Sequence, residues 1–342
     1  MTDSIPTSLT EFPEDVMRKI LEKCDFVAIQ NLRRTCHNIR NFIDETKPKQ
    51  SFNVIEINGV PGKISLVFYE KGVWELYPNG QKMHVLYQQI DNENSNITWF
   101  RSDRNRLKII GNSNFLDLFS RDFGAVLNSK LSILDHLFIR CDENEIKKIQ
   151  ETLESSGQIP LRVHTLAMAD ATCQEDVLEI LPYTCPETLH HLEITCPRGA
   201  YDTWDISRIL ELEHWKKAEE LNMRRIPVRA GIQNFEHFEI AKACFEEVTV
   251  DDVMKVKENF LNSPSTTKHL QLFFHRFPNQ DHLIESFGQP YRNSDNFFIA
   301  QQKSWFFRRA DNYVLFIDLS GNFLVFNIKT LKDVPQGVEV IG

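Results

Sequence analysis

The pattern of apolar and polar positions near the start of the chain predicts a small helical module. Between Asp15 and Cys24 the apolar residues recur at i, i+1, i+4 and i+5, the spacing of one helical stripe: Val16, Met17, Ile20 and Leu21. A second stripe recurs every three or four residues and predicts one or two further helices: Phe26, Ile29, Leu32, Cys36, Ile39 and Ile43. Because a module of about 35 residues buries too little surface to fold firmly alone, part of its apolar face should remain available to a partner.

Runs rich in β-branched and aromatic residues follow and predict an antiparallel meander. The predicted strands are Phe52–Ile57, Lys63–Glu70, Val73–Tyr77 and Met83–Gln89. The dipeptides Asn58-Gly59 and Asn79-Gly80 predict the hairpin turns between them. Residues 91–96 favour a polar loop and residues 101–108 a solvated basic surface, whereas residues 115–127 have the spacing of an amphipathic helix.

An internal repeat of the form apolar-x-x-apolar-x-apolar occupies the middle of the chain. Its central residues, 22 to 29 positions apart, are Leu137, Leu166, Leu192, Leu221, Val248 and Leu270. Helical patterns lie between several of them: Glu145–Leu153, Gln174–Leu181, Ile206–Trp215 and Asp252–Leu261, the last with Asp251 as its expected cap. A strand followed by a helical return predicts parallel pairing, and its repetition predicts a curved solenoid with the geometry of leucine-rich repeats.

The strand register predicts which side chains lie on the open face of this repeat. The residues beside each central position point away from the core and form the candidate recognition surface. These residues are His136, Phe138, Thr165, Ala167, His191, Glu193, Glu220, Asn222, Glu247, Thr249, His269 and Gln271. The three glutamates suggest a partner with positive charge at its centre. The alternative is a sheet face that is merely solvated.

A second group of strands is predicted after Pro278, at Asn296–Ala300, Trp305–Arg308, Tyr313–Leu319 and Phe323–Ile328, with Gly321-Asn322 as a hairpin turn. Because a solenoid needs its terminal cores covered, the two meanders are expected to act as caps. The predicted fold is α/β. Its parts are a helical module at residues 5–48, a meander at 50–112, the repeats at 113–290 and the second meander at 291–342.

Composition narrows the function classes. The chain has 342 residues, with 39 Lys plus Arg against 48 Asp plus Glu and a formal net charge of −9, which argues against general nucleic-acid binding. No secretory or membrane segment is expected, so the protein should act in the cytoplasm, the nucleus or both. The seven scattered cysteines include no C-x-x-C pair and should be reduced and mostly buried.

Motifs for catalysis or cofactor binding are absent from the sequence. There is no G-x-S-x-G, H-E-x-x-H, phosphate-binding loop or dinucleotide fingerprint, although a divergent site built in three dimensions would escape such a search. His190 and His191 would point to opposite faces of a strand and could not easily share a metal ion. Cys36 fits a small core residue better than a nucleophile. We therefore expect no catalytic residue, metal or cofactor.

The N-terminal module resembles a known interaction domain. The order Leu9-x-x-Phe12-Pro13-x-Asp15-Val16 resembles the opening Leu-x-x-Leu-Pro-x-Glu of the F-box, with conservative departures at Phe12 and Asp15. The resemblance implies a three-helix domain that binds the Skp-type adaptor of a cullin-based (SCF) ubiquitin ligase. The residues expected to contact the adaptor are Leu9, Phe12, Pro13, Val16, Ile20, Leu21, Phe26, Ile29 and Leu32.

A second resemblance covers about residues 115 to 275. The segment from Leu210 to Leu221, with Trp215-Lys216 at its centre, is similar to a motif of the FTH domain, which follows the F-box in many nematode proteins. Phe235–Phe238 and Val248–Val253 match the same domain. The two resemblances together imply a non-catalytic substrate receptor that holds a target protein on the repeat face. The alternative is a repeat-type scaffold that binds proteins without assembling a ligase.

Overall fold

The computed structural model describes residues 12–24, 26–33, 35–48, 52–70, 82–100, 105–129, 131, 133–157, 160–199, 202–291 and 302–342. Its helices are α1 (Glu14–Glu22), α2 (Phe26–Arg33), α3 (His37–Thr46), α4 (Phe115–Leu127), α5 (Glu143–Ser155), α6 (Gln174–Leu178), α7 (Ser207–Leu210), α8 (Glu213–Lys217), α9 (Val250–Asn262) and α10 (His282–Phe287). Its strands are β1 (Phe52–Val60), β2 (Lys63–Glu70), β3 (Lys82–Gln89), β4 (Asn94–Phe100), β5 (Asn105–Gly111), β6 (Leu134–Arg140), β7 (Val163–Ala169), β8 (His191–Ile194), β9 (Trp204–Asp205), β10 (Glu220–Arg229), β11 (Ile240–Glu247), β12 (His269–Arg276), β13 (Lys303–Arg308), β14 (Tyr313–Ser320) and β15 (Phe323–Thr330).

The chain forms two compact units. The first comprises Met1–Ala167 with Glu179–Thr188, and the second comprises Met168–Leu178 with Leu189–Gly342. Both are mixed α/β, and the first begins with helices, so the predicted fold class is confirmed at that level. The leucine-rich-repeat-like curvature stays a prediction. In the part of the chain that is described, no helix is long and apolar enough to cross a membrane.

The sheet of the first unit runs in the order β7-β6-β1-β2-β3-β4-β5. β1 pairs in parallel with β6 on one side and antiparallel with β2 on the other. The helix α4, predicted with the same bounds, packs on β2 and β3 because its apolar stripe meets their inner face. Tyr87 of β3 contacts the Phe119 ring and donates a hydrogen bond of 3.0 Å to Asp122 of α4.

The predicted turn at Asn58-Gly59 is wrong, because β1 continues to Val60 and the chain reverses at Pro61-Gly62, where Gly62 has a φ of 77°. Gly59 serves close packing instead. A Cβ atom at this position would lie 3.0 Å from the Cys141 sulfur and 3.0 Å from Cγ of Glu145. A glycine in a strand thus marks the approach of another element.

Strands β4 and β5 occupy part of the predicted polar loop and basic segment, where the sequence pattern predicts no strand. Asp91 caps this turn, since its carboxylate accepts from the backbone N–H groups of Glu93 (2.9 Å) and Asn94 (2.8 Å). The predicted strand Val73–Tyr77 and the turn Asn79-Gly80 lie outside the described residues, as does the predicted strand Asn296–Ala300.

The second unit contains the parallel part of the repeat. β10 pairs in parallel with β8 and β11, and β11 pairs in parallel with β12, which confirms the predicted direction for these strands. Behind the sheet, Trp215 and Phe238 are buried together with Phe235, at ring-centroid distances of 5.2 and 5.3 Å from Trp215. Trp215 and Phe238 are therefore packing residues of the second unit.

The second meander joins the repeat through backbone pairing and one buried cation. β15 pairs antiparallel with β12, and β14 and β13 follow in order. Arg309, which follows β13 and is only 5% exposed, donates hydrogen bonds to the backbone carbonyls of Phe260, Ser263 and Ser265. Its guanidinium also pairs with Asp311 at 2.7 Å. Arg309 therefore satisfies carbonyls at the end of α9 that the helix cannot pair itself.

A carboxyl pair, an exposed Asp142 and a buried Glu145, begins α5 in the first unit. The Asp142 carboxylate accepts from the backbone N–H groups of Asn144 (3.0 Å) and Glu145 (3.4 Å) and caps the helix. Glu145 is 3% exposed. Burial, and then its hydrogen bond to Asp142, raise the pKa of Glu145 to about 7, whereas the hydrogen bond from Glu145 lowers the pKa of Asp142.

The cysteines are all free thiols. Cys141, Cys185, Cys196 and Cys244 are buried, as expected of reduced core residues. The prediction that Cys36 is a small core residue is wrong, because Cys36 is exposed at the N-cap of α3 and is not part of the apolar stripe. Its extended backbone between α2 and α3 turns the side chain away from the module core.

We expect Arg309→Met to destabilise the protein by about 3 kcal/mol or more, because it leaves several buried carbonyls unpaired while preserving the apolar stem. Denaturant unfolding followed by circular dichroism measures this change. The matched control is Arg308→Met, since Arg308 is exposed one position earlier. Equal stability of the two variants would contradict the role of Arg309.

We expect Glu145→Gln to stabilise the protein at pH 8 by about 1 to 3 kcal/mol. A carboxyl group whose pKa is raised by folding holds its proton more tightly when folded, so its stabilising contribution is complete below its unfolded pKa. That contribution is lost as the pH rises to about 7, the folded pKa of Glu145. The amide keeps a donor towards Asp142 and carries no charge to bury.

Thermal unfolding between pH 5 and pH 8 measures this difference. The parent should lose stability across the window, and the Glu145→Gln variant should lose less. Glu143→Gln, an exposed position on the same helical turn, is the control and should follow the parent. Superimposable profiles for the parent and Glu145→Gln would show that the Glu145 proton does not matter to the fold.

Candidate functional site

The N-terminal module divides the apolar stripe of α1 between an inner and an outer side. Met17 and Leu21, one helical turn apart, are buried. Val16 and Ile20, also one turn apart, lie on the neighbouring side, where Val16 is 38% exposed and Ile20 is half-buried. Phe12, just before the helix, is 36% exposed. The module thus keeps an apolar strip at its surface.

The core of the module is formed by residues from all three helices: Leu21, Ile29, Ile39 and Ile43. Leu32 packs against this cluster from the side. Arg33 and Asp44 add an ion pair of 2.9 Å between α2 and α3. Such a pair contributes little by itself, so apolar packing holds the three helices together.

The predicted adaptor contacts therefore differ in accessibility. Phe12, Pro13 and Val16 are exposed and Ile20 and Leu32 are half-buried, whereas Leu21 and Ile29 lie in the core of the module. Leu9 lies outside the described residues, and the side chain of Phe26 is not described. The accessible strip is thus carried mainly by α1 and the residues before it. The adaptor-binding role of all nine residues stays a prediction.

An open cleft of about 760 Å³ lies between α2 and α3 on one side and α4 and α5 on the other, within the first unit. Its walls are polar. The hydroxyls of Ser129 and Ser156 donate to backbone carbonyls of their own helices, at 2.6 and 2.8 Å, and Arg33 is paired with Asp44. These groups are engaged within the chain, and we assign the cleft no ligand.

The predicted register of the repeat face is wrong at its fifth strand. The fifth repeat strand is centred on Ala241, which pairs with Leu221 on β10 and with Leu270 on β12. Val248 follows the strand instead. The predicted face residue Thr249 is the N-cap of α9, where its hydroxyl accepts from the Asp252 backbone N–H at 3.2 Å. Asp251 lies within the helix, so the predicted cap was also misplaced by two residues.

The observed register of the fifth strand changes which charged side chains lie on the face. Ile240 and Lys242 occupy the positions predicted for Glu247 and Thr249, and Lys242 pairs with Asn222 on one side and Gln271 on the other. Glu247 lies at the end of β11, 3.5 Å from Arg276. The predicted row of three glutamates is therefore wrong, and the middle of the face carries both signs of charge.

The remaining predicted positions of the second unit lie on strands in matched register. His191 and Glu193 of β8 pair with Glu220 and Asn222 of β10, and His269 of β12 pairs with Ile240. Asn222 donates a 3.1 Å hydrogen bond to Glu193, and His191 lies 3.5 Å from Glu220. Burial, and then the charge of Lys242, lower the pKa of His269.

The first unit holds the other predicted face residues. His136 and Phe138 of β6 pair with Val54 and Glu56 of β1, and both are half-buried, as is Thr165 of β7. Arg140 lies over the Phe138 ring at 5.4 Å. The sequence pattern therefore located real strands, but it missed Ile240 and Lys242 because the core residues around them are small alanines rather than leucines.

The arrangement of acidic, histidine and cysteine side chains bears on metal binding. Within the described ranges, no group of three or more His, Cys, Asp or Glu side chains is arranged to hold a metal ion. We assign no catalytic, metal or cofactor residue to this chain.

Two segments of the chain match known domain families. Residues 9–51 match the F-box domain, and residues 143–289 match the FTH domain. The helical module α1–α3 lies in the first match, and the parallel strands of the second unit lie in the second. The chain thus carries an F-box domain and an FTH domain, which confirms both resemblances seen in the sequence.

Among individual proteins, the chain is similar to F-box A protein 224 of Caenorhabditis elegans. The two are 24% identical over 331 residues, which cover 94% of this chain and 79% of that protein. No solved structure matches the chain.

The corrected register leads to a test at Thr249. We expect Thr249→Val to destabilise the protein by about 1 kcal/mol, because it removes the capping hydroxyl of α9 without changing the side-chain volume much. Denaturant unfolding measures the loss. Thr165→Val on the strand face is the control and should have a smaller effect. If Thr249→Val were neutral, the capping role of Thr249 would be wrong.

Proposed function

We propose that this protein is the substrate-recognition subunit of a cullin-based (SCF) ubiquitin ligase. Its F-box would bind a Skp-type adaptor and, through it, the cullin, and its β-rich body would hold a target protein. The observation that carries the proposal is the exposed apolar strip of Phe12 and Val16 on a helical module that matches the F-box domain. An intracellular location, cytoplasmic, nuclear or both, belongs to the same proposal.

The division of the α1 stripe supports this role. Met17 and Leu21 hold the module together, which leaves Val16 and Ile20 to meet a partner. Removing a large apolar side chain from water contributes about 1.5 to 3 kcal/mol, so each residue of this strip adds measurably to the affinity of a partner that covers it. The ion pair between Arg18 and Glu14, at 2.5 Å, lies on the exposed surface of the same helix.

The receptor itself would carry out no chemistry. Ubiquitin transfer would be catalysed by other subunits, while this chain raises the effective concentration of the target beside them. Rigid placement is what such a role requires. We retain the corrected strand faces of each unit as candidate target surfaces. In the first unit they comprise His136, Phe138 and Thr165, and in the second His191, Glu193, Glu220, Asn222, His269 and Gln271, joined by Ile240 and Lys242.

The proposal is tested by capture of the adaptor. We expect the double variant Phe12→Ala and Val16→Asp to weaken binding of a Skp-type adaptor more than tenfold, because it removes one apolar contact and buries a charge in another. Binding of the purified adaptor to the immobilised full chain measures the affinity. The cullin should be recovered with the adaptor and be lost in the same variant.

The control variant is Leu331→Asp, which changes an exposed apolar residue of the second unit. It should bind the adaptor like the parent. Undiminished capture by the Phe12 and Val16 variant would refute the docking strip. Failure of the parent to bind any adaptor would favour the other candidate, a protein-binding scaffold that assembles no ligase.

A further inference from the structure

Strand β5 is the last strand of the first unit's sheet. In the part of the chain that is described, it pairs with β4 and with no other strand. Six of its seven residues are exposed, and Ile110 is half-buried. Its outer edge therefore presents backbone N–H and C=O groups that another strand can pair with.

One face of β5 is apolar. Leu107 and Ile109 are each 62% exposed. Residues that pair directly point to the same face, and the register links Ile109 through Asn96, Gln88 and Lys63 to Val60.

This apolar character continues across the sheet. Val60 is 54% exposed, and Ile90, two residues beyond Gln88, is 48% exposed. Of the three intervening strands, β3 and β4 contribute neutral side chains to the same face, such as Gln88, Asn96 and Thr98, and β2 contributes Lys63. On β4 and β5 this face has no charged side chain, which resembles the centre of a protein interface, where charged residues are depleted.

The other face of β5 is cationic. Arg106 and Lys108 alternate with the apolar residues and are exposed, and they pair with Trp99 and Ile97 of β4. No acidic residue occurs in β5, although the whole chain has a formal net charge of −9. A strand added at this edge would therefore meet apolar groups on one side and positive charge on the other.

A second copy of the chain is a poor occupant. A two-fold axis would set two β5 strands antiparallel, and registers centred on Leu107 or Lys108 would place Arg106 opposite Lys108 or Lys108 opposite Lys108. A register centred on Ile109 would avoid this, but it would set Leu107 opposite Gly111, without an apolar partner. Like charges directly opposite one another in a sheet are destabilising. Lys108 thus protects the edge against self-association, as lysines on edge strands commonly do.

We propose that the edge of β5 binds an extended protein segment in which apolar and acidic residues alternate. The segment would add a strand to the sheet. Its apolar side chains would pack on Leu107 and Ile109, and its carboxylates would face Arg106 and Lys108. Backbone pairing would supply affinity, and the alternation would supply specificity. The inference is independent of adaptor binding.

The test uses fluorescein-labelled peptides and the full chain. The probe Gly-Glu-Leu-Glu-Ile-Glu-Leu-Gly should bind at least tenfold more tightly than the same peptide with lysine in place of each glutamate, as measured by anisotropy at low salt. A probe with proline in place of its central isoleucine should bind at least tenfold more weakly, because proline removes a backbone donor.

Variants of the full chain assign the binding to β5. The double variant Arg106→Glu with Lys108→Glu should bind the lysine peptide more tightly than the glutamate peptide. The double variant Leu107→Ser with Ile109→Ser should bind both charged peptides more weakly than the parent. Leu331→Ser with Lys332→Glu is the matched control in another exposed segment and should bind like the parent. All these side chains are exposed, so the fold should tolerate the changes.

Three outcomes would overturn the proposal. The charged peptides could bind equally, or the charge-reversed variant could keep the parent's preference. Light scattering could instead show a dimer of the parent chain that Leu107→Ser with Ile109→Ser dissociates, in which case a second copy occupies the edge. None of these outcomes bears on adaptor capture, so the two proposals fail separately.

Discussion

Each unit depends on the backbone pairing of one strand, β1 in the first unit and β12 in the second. β1 pairs in parallel with β6 and antiparallel with β2, and β12 pairs in parallel with β11 and antiparallel with β15. β1 and β12 therefore each lie between two kinds of neighbour. On one side is a parallel repeat strand, which is reached by a long crossover, and on the other is an antiparallel strand of a local meander. Without the antiparallel neighbour, each would expose a full row of unpaired N–H and C=O groups.

Stability and recognition are divided within single elements rather than between them. In α1, adjacent residues divide between the accessible side and the core, Val16 and Ile20 on the former and Met17 and Leu21 in the latter, so the residues that fold the module are distinct from the residues that can meet an adaptor. An exposed apolar residue in such elements is free to vary with the partner, because the core does not depend on it.

The sequence predicted helices and strands well where one side of the element is buried and large apolar residues occupy that side. The helix at residues 115–127 was predicted with its observed bounds, because six large apolar residues share one stripe. The strand at β11 was misplaced because Ala241 and Ala243 fill the positions where other repeats have leucine, methionine or isoleucine, so the larger Val248 and Val250 matched the pattern better. β5 was missed because neither of its faces is buried, and periodicity detects burial rather than pairing.

Arg309 has a consequence for synthesis on the ribosome. The guanidinium that completes the end of α9 comes from a residue 49 positions after Phe260, and the strand that covers the edge of β12 follows later still. A nascent chain that has emerged only as far as β12 therefore carries an open edge and an unfinished helix terminus. Until β13 to β15 follow, the exposed edge of β12 favours wrong strand pairing.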